Sequence, residues 1–129
     1  MNKYQKVIVD AQGFNNFEWI KSFNAKINLV YPVTRVSFFG ADYALPSIGK
    51  IEENKLKAAK KSLETMSKDL GIGPDGHTAE ISVSEDLLLK KAQQVHSDLI
   101  VLNRNRKGFD SFFRKILRSL PCDVLIIKE

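Results

Sequence analysis

The sequence predicts an α/β fold in which an open parallel sheet is covered by helices on both faces. Three observations carry this. Strand-like and helix-like segments alternate along the chain. The strand-like segments are continuous apolar runs, as expected of strands buried on both sides. The length of 129 residues suits one domain spanning 1–129, large enough to bury a real core. With 43% hydrophobic and 27% charged residues, the composition is that of an ordinary globular protein.

The elements follow in order. Val7, Ile8 and Val9 form a β-branched run that ends at Asp10, and Ala11-Gln12-Gly13 breaks it. Phe14, Phe17, Ile20 and Phe23 recur every three residues, which predicts a short helix with an apolar face. Residues 27–33 (INLVYPV) read as the second strand, with Pro32 near its end. Residues 34–49 read as a loop that carries Val36, Phe38, Phe39, Tyr43 and Leu45, and a loop of this length packs or functions. Phe38, Phe39 and Tyr43 suit a pocket, a subunit contact or plain packing onto the helices.

Residues 50–70 form the longest predicted helix, with Ile51, Leu56, Ala59, Leu63, Met66 and Leu70 on one stripe. Gly71, Gly73 and Pro74 stop it. Residues 78–83 alternate as a strand does. Ser82 or Ser84 is placed to cap the next helix, whose first turn holds Glu85 and Asp86. That helix turns Leu88, Ala92 and Val95 inward and ends near His96. Residues 98–102 (DLIVL) are the fourth strand. Phe109, Phe112, Phe113, Ile116, Leu117 and Leu120 trace an amphipathic helix that Pro121 ends, and residues 124–127 (VLII) close the chain as the fifth strand.

Several classes of function are unsupported. One cysteine, Cys122, allows no intrachain disulfide and reads as a small buried apolar group; with no signal peptide visible, the expected compartment is the cytoplasm. No run approaches the ~18 apolar residues of a membrane span. His77, His96 and Cys122 match no zinc spacing. The phosphate-cradling GxxxxGK[ST] and GxGxxG loops, the Gly-x-Ser-x-Gly elbow and the CxxC pair are absent. A magnesium-holding acid cluster after the first strand is missing, since Ala11 and Gln12 follow Asp10. No constellation argues for catalysis, so the chain is not expected to be an enzyme.

In open parallel sheets ligands sit beyond the carboxyl ends of the strands, where the strand order reverses. Asp10, Tyr31 and Asn103 fall at such ends and are the first candidate binding residues. The second candidates are basic. Residues 104–118 hold six of the 20 basic side chains and one of the 15 acids, which leaves fourteen of each elsewhere, so the whole charge of +5 sits in this segment. Arg104, Arg106 and Lys107 lie at the strand-end rim and can attract an anion. Arg114, Lys115 and Arg118 fall on the outer face of the last helix. Phe109, Phe112 and Phe113 lie close to them, but their helical spacing assigns them to the core.

The ordered segments VIVDAQ, AKINLVYPV, SVSEDLLLKKAQQVHSDLIVLN and LPCDVLII resemble the universal stress proteins over nearly the whole chain. The resemblance implies a Rossmann-like three-layer sandwich with strand order 3-2-1-4-5 and a homodimer paired near the last strand. It also implies ATP or AMP bound through Gly-x-x-Gly-x9-Gly-Ser/Thr after the fourth strand, with Asp10 at the family's nucleotide-contacting position. Counted from Asp98, the motif positions are Asn103, Arg106, Ile116 and Leu117, and none is glycine. Small residues are needed there because backbone amides must approach the phosphates closely. The expectation is therefore a small cytoplasmic binding or regulatory protein, homodimeric, with no cofactor and without ordinary ATP binding. Two alternatives stand beside it. One is binding of an adenine nucleotide or another anionic small molecule by Asp10 and residues 104–107. The other is an acidic protein partner or nucleic acid held by residues 104–118.

Overall fold

A computed structural model describes residues 4–12, 14, 16–33, 45–73 and 76–128. Five strands, β1 (Lys6–Asp10), β2 (Lys26–Val33), β3 (His77–Ile81), β4 (Leu99–Asn103) and β5 (Asp123–Ile127), pair in one all-parallel sheet of order β3-β2-β1-β4-β5. Three α-helices connect them: α1 (Leu45–Leu70), α2 (Ser84–Val95) and α3 (Phe109–Leu117). The class, the order and the covering of both faces are those expected.

The continuous apolar strands explain the layering. Alternate residues of one strand feed opposite faces. Val7, Val9, Leu29 and Val101 join Ile20, Ala59 and Leu63 in one core beneath α1. Ile8, Val30, Ile100 and Leu102 join Leu88, Ala92, Phe109, Phe112 and Ile116 in the other, beneath α2 and α3. Asp98 locks the lower rim, where its carboxylate accepts the Gln5 and Lys6 backbone N–H groups at 2.9 and 3.0 Å.

Four expectations change in detail. The segment after β1 is a 3-10 helix, Glu18–Ser22, and not an α-helix. A strict period of three is the signature of that tighter winding, in which side chains i and i+3 eclipse. Ile20 within it and Phe14 before it are buried, while Phe17, Trp19 and Phe23 pack at the margin of the same core. Helix α1 begins at Leu45, five residues before the predicted start. Pro46 then falls in the first turn, where its missing N–H costs nothing. Helix α2 starts after Val83 without a side-chain cap, so neither Ser82 nor Ser84 caps it. Helix α3 ends at Leu117, short of Pro121; Leu117 is exposed, and Phe113 and Leu120 are only partly covered. Val36, Phe38, Phe39 and Tyr43 lie outside the described residues.

A buried arginine at the candidate functional site

The carboxyl ends of β1 and β4 meet at the reversal of strand order, and Asp10 closes β1 there. It follows Ile8 onto the α2–α3 face and is fully buried. Its Oδ1 accepts the Gln12 backbone N–H at 3.2 Å, an Asx-type turn that steers the chain off the sheet. Its Oδ2 accepts from Arg106 Nη1 at 2.8 Å.

Arg106 is the centre of this site. The loop after β4 turns tightly, with the Asn105 N–H on Asn103 Oδ1 at 2.9 Å and the Arg106 N–H on the Asn103 carbonyl at 3.2 Å. This turn sends the Arg106 side chain inward, where it is only 9% exposed. Its Nη2 donates to Gln12 Oε1 and, at 2.9 Å, to Ser84 Oγ at the start of α2. The guanidinium lies over the Phe112 ring, 3.9 Å from its centroid. One side chain thus ties together β1, the turn after it, α2 and α3. Burial pushes the Asp10 carboxyl up to about 6, against the opposing pull of the Arg106 charge and the Gln12 and Arg106 hydrogen bonds.

The other candidates are dispersed. Tyr31 follows Leu29 onto the opposite, α1 face of the sheet. Asn103 is buried, pairs with Ile127 across the ladder and leaves its Nδ2 without a partner. Arg104 is half exposed, 3.7 Å from Asp110 and 4.9 Å over the Phe109 ring. Lys107 is exposed and forms no ion pair among the described residues. The structure therefore brings the Asp10 and Arg106 side chains into contact, with Asn103 shaping the turn that carries Arg106, and leaves the Tyr31, Arg104 and Lys107 side chains outside this cluster. Gln12 and Ser84 were not singled out as site residues by sequence. No local signal marks them, because Ser84 and Arg106 meet only through the packing of α2 beside the β4–α3 loop. Among the described residues no group of three or more His, Cys, Asp or Glu side chains is placed to hold a metal, and no helix is long and apolar enough to cross a membrane.

Comparison with known proteins agrees with this fold. A curated relative, universal stress protein A homolog 2 of Coxiella burnetii, is 26% identical over 110 residues, covering 81% of this chain and 75% of its own. The universal stress protein UspA of Lactobacillus plantarum superposes with a TM-score of 0.74 at 15% identity, over 98% of this chain and 99% of its own. The chain has the universal stress protein fold. No family model matches its sequence. Two further neighbours of this type were solved with nucleotides. An Arabidopsis thaliana protein with AMP bound has a TM-score of 0.61 at 15% identity, covering 97% and 92% of the two chains. A universal stress protein in complex with cAMP has a TM-score of 0.61 at 20% identity, covering 96% and 97%.

A nucleotide does not fit the residues at the positions that the resemblance implies for it. Asp10, which the resemblance places in contact with the nucleotide, already holds Arg106. Two of the glycine positions are a buried Asn103 and the inward-turned Arg106, and a third is Ile116, fully buried in the core beneath α2 and α3. At the end of β2 Pro32 has no N–H to donate, and its carbonyl accepts Gln12 Nε2 at 2.6 Å.

Proposed function

We propose that this chain is a non-catalytic, cytoplasmic binding or regulatory protein of the universal-stress type, whose nucleotide cleft is held shut by its own Arg106. The observation that carries this is the guanidinium seated on Asp10, Gln12 and Ser84. The AMP and cAMP complexes of its structural neighbours support the reading that proteins of this fold take adenine nucleotides, and in this reading an internal cation on Asp10 replaces an external ligand. The free Cys122 suits a reducing compartment.

The protein acts as a homodimer in this reading. β5 is an edge strand, and its Leu125 and Ile126 are 38% and 37% exposed. Open edges of this kind pair with another chain. An antiparallel register centred between Leu125 and Ile126 sets Asp123 of one protomer opposite Lys128 of its partner, so charge and apolar pattern agree.

Titration calorimetry with ATP, AMP and cAMP tests the proposal. The wild-type chain is expected to give no binding heat at millimolar ligand. Submillimolar binding that Asp10→Ala removes would overturn the closed cleft and favour the alternative nucleotide-binding reading.

A further inference from the structure

A groove of about 520 Å³ lies on the α1 face of the sheet, with Gln12 standing between it and the Arg106 side chain. Tyr31 and Val33 line its sheet side. Lys55, Ala58 and Ser62 of α1 line the other, at successive helical spacings of three and four. The groove exists because α1 presents small side chains where a leucine would close the gap. Gln12 forms its end wall. That amide is fixed from both sides, with Nε2 on the Pro32 carbonyl at 2.6 Å and Oε1 on Arg106, so the wall is rigid.

The chemistry of the lining is uneven. Among the described residues Lys55 is its one charged side chain, no carboxylate lines it, and Lys55 forms no ion pair. Two hydroxyls, on Tyr31 and Ser62, stand beside apolar surface from Val33 and Ala58. Small-molecule sites have this composition: mostly apolar walls and a few polar groups that orient the ligand.

We propose that this groove binds a small organic monoanion with a flat apolar body. The ring lies between Val33 and Ala58, and the acid group meets Lys55. A polyphosphate is a poor match for a single cation. The inference stands apart from the closed Asp10 cleft, since a nucleotide result there leaves the groove chemistry unchanged.

The test uses the full chain, 2-naphthoate as probe and neutral 2-naphthamide as its control, followed by amide chemical-shift mapping. Naphthoate is expected to shift the Gln12, Tyr31 and Ser62 amides and to saturate at millimolar concentration or below. Lys55→Met should weaken naphthoate about five-fold, the size of a solvent-exposed charge pair, and bring it level with naphthamide. Ala58→Trp, at an exposed helix position, should fill the groove and abolish the shifts. Shifts confined to other surfaces, or equal affinity of acid and amide for the wild-type chain, would overturn the proposal.

Discussion

Replacing Arg106 by methionine tests the buried cluster directly, and its cost should depend on pH in a way that can be worked out beforehand. In the wild-type chain burial carries Asp10 from its ordinary 3.8 to about 6. The folded state therefore binds the proton more tightly than the unfolded one. Stability from this group is fully present below pH 3.8 and is lost as pH rises through 6, by about 3 kcal/mol in all. Without Arg106 the carboxyl keeps its burial and loses its cation, so its folded value climbs further and the loss continues above pH 6. At pH 5 Asp10 is mostly protonated in both folded chains, and what is missing is the Arg106 hydrogen bonds to Asp10, Gln12 and Ser84 and the contact with Phe112. Those are worth roughly 1–2 kcal/mol together. At pH 8 the variant has two further pH units of carboxyl cost, so its deficit grows by up to about 3 kcal/mol and approaches the 3–5 kcal/mol typical of a broken buried pair. Urea denaturation of both chains at pH 5, 6, 7 and 8 measures this. A deficit that is flat across that range would refute the reasoning, because Asp10 would then not be the group that Arg106 compensates. The double variant Asp10→Asn/Arg106→Met should recover most of the loss at pH 8.

Other consequences are independent of this cluster. Leu125→Lys with Ile126→Asp should convert the proposed dimer to a monomer in light scattering, with the circular dichroism spectrum unchanged. His96 ends α2 in the left-handed region at φ 54°, so His96→Gly should stabilise the chain by roughly 0.5–1 kcal/mol in urea titration. A methyl group on Gly76 would overlap Ile72 Cγ2 and approach the Ile27 carbonyl oxygen to 3.1 Å, so Gly76→Ala should cost about 1–3 kcal/mol by the same measurement.

The fold was legible in the sequence because its strands are buried on both sides. A run such as Leu99–Asn103, buried at every position, leaves a continuous apolar signature that does not depend on what packs against it. The strand order followed from the resemblance, not from periodicity. Elements at the periphery were less legible. The three-residue spacing of Phe14, Phe17, Ile20 and Phe23 signalled a helix, and choosing 3-10 over α depended on taking the period literally. The end of α3 was overestimated because Leu117 and Leu120 continue its pattern, yet the helix stops at Leu117, which is exposed. The site was legible only as separate parts. Asp10 and Arg106 were both candidate ligand contacts, but they lie 96 residues apart, and nothing in the sequence says that two candidates for binding something else bind each other.

That pairing changes what the basic segment can do. Of its six cations, Arg106 is buried on Asp10, Arg104 lies by Asp110 and over Phe109, and Lys115 lies 3.6 Å from Glu85 of α2. Lys107, Arg114 and Arg118 are exposed and without ion pairs among the described residues. Nucleic-acid binding by this segment would then neutralise at most three phosphates through free cations. Each contact contributes close to 0.9 to the dependence of log affinity on log salt, so the slope for duplex DNA should be no steeper than about −3. Filter binding from 20 to 200 mM salt reads this slope. A value near −6 would show that the segment gives up its internal partners to reach the ligand. Arg106 cannot do so without leaving Asp10 buried and uncompensated, so its share of such a slope would come at the expense of affinity, and Asp10→Asn should then tighten binding.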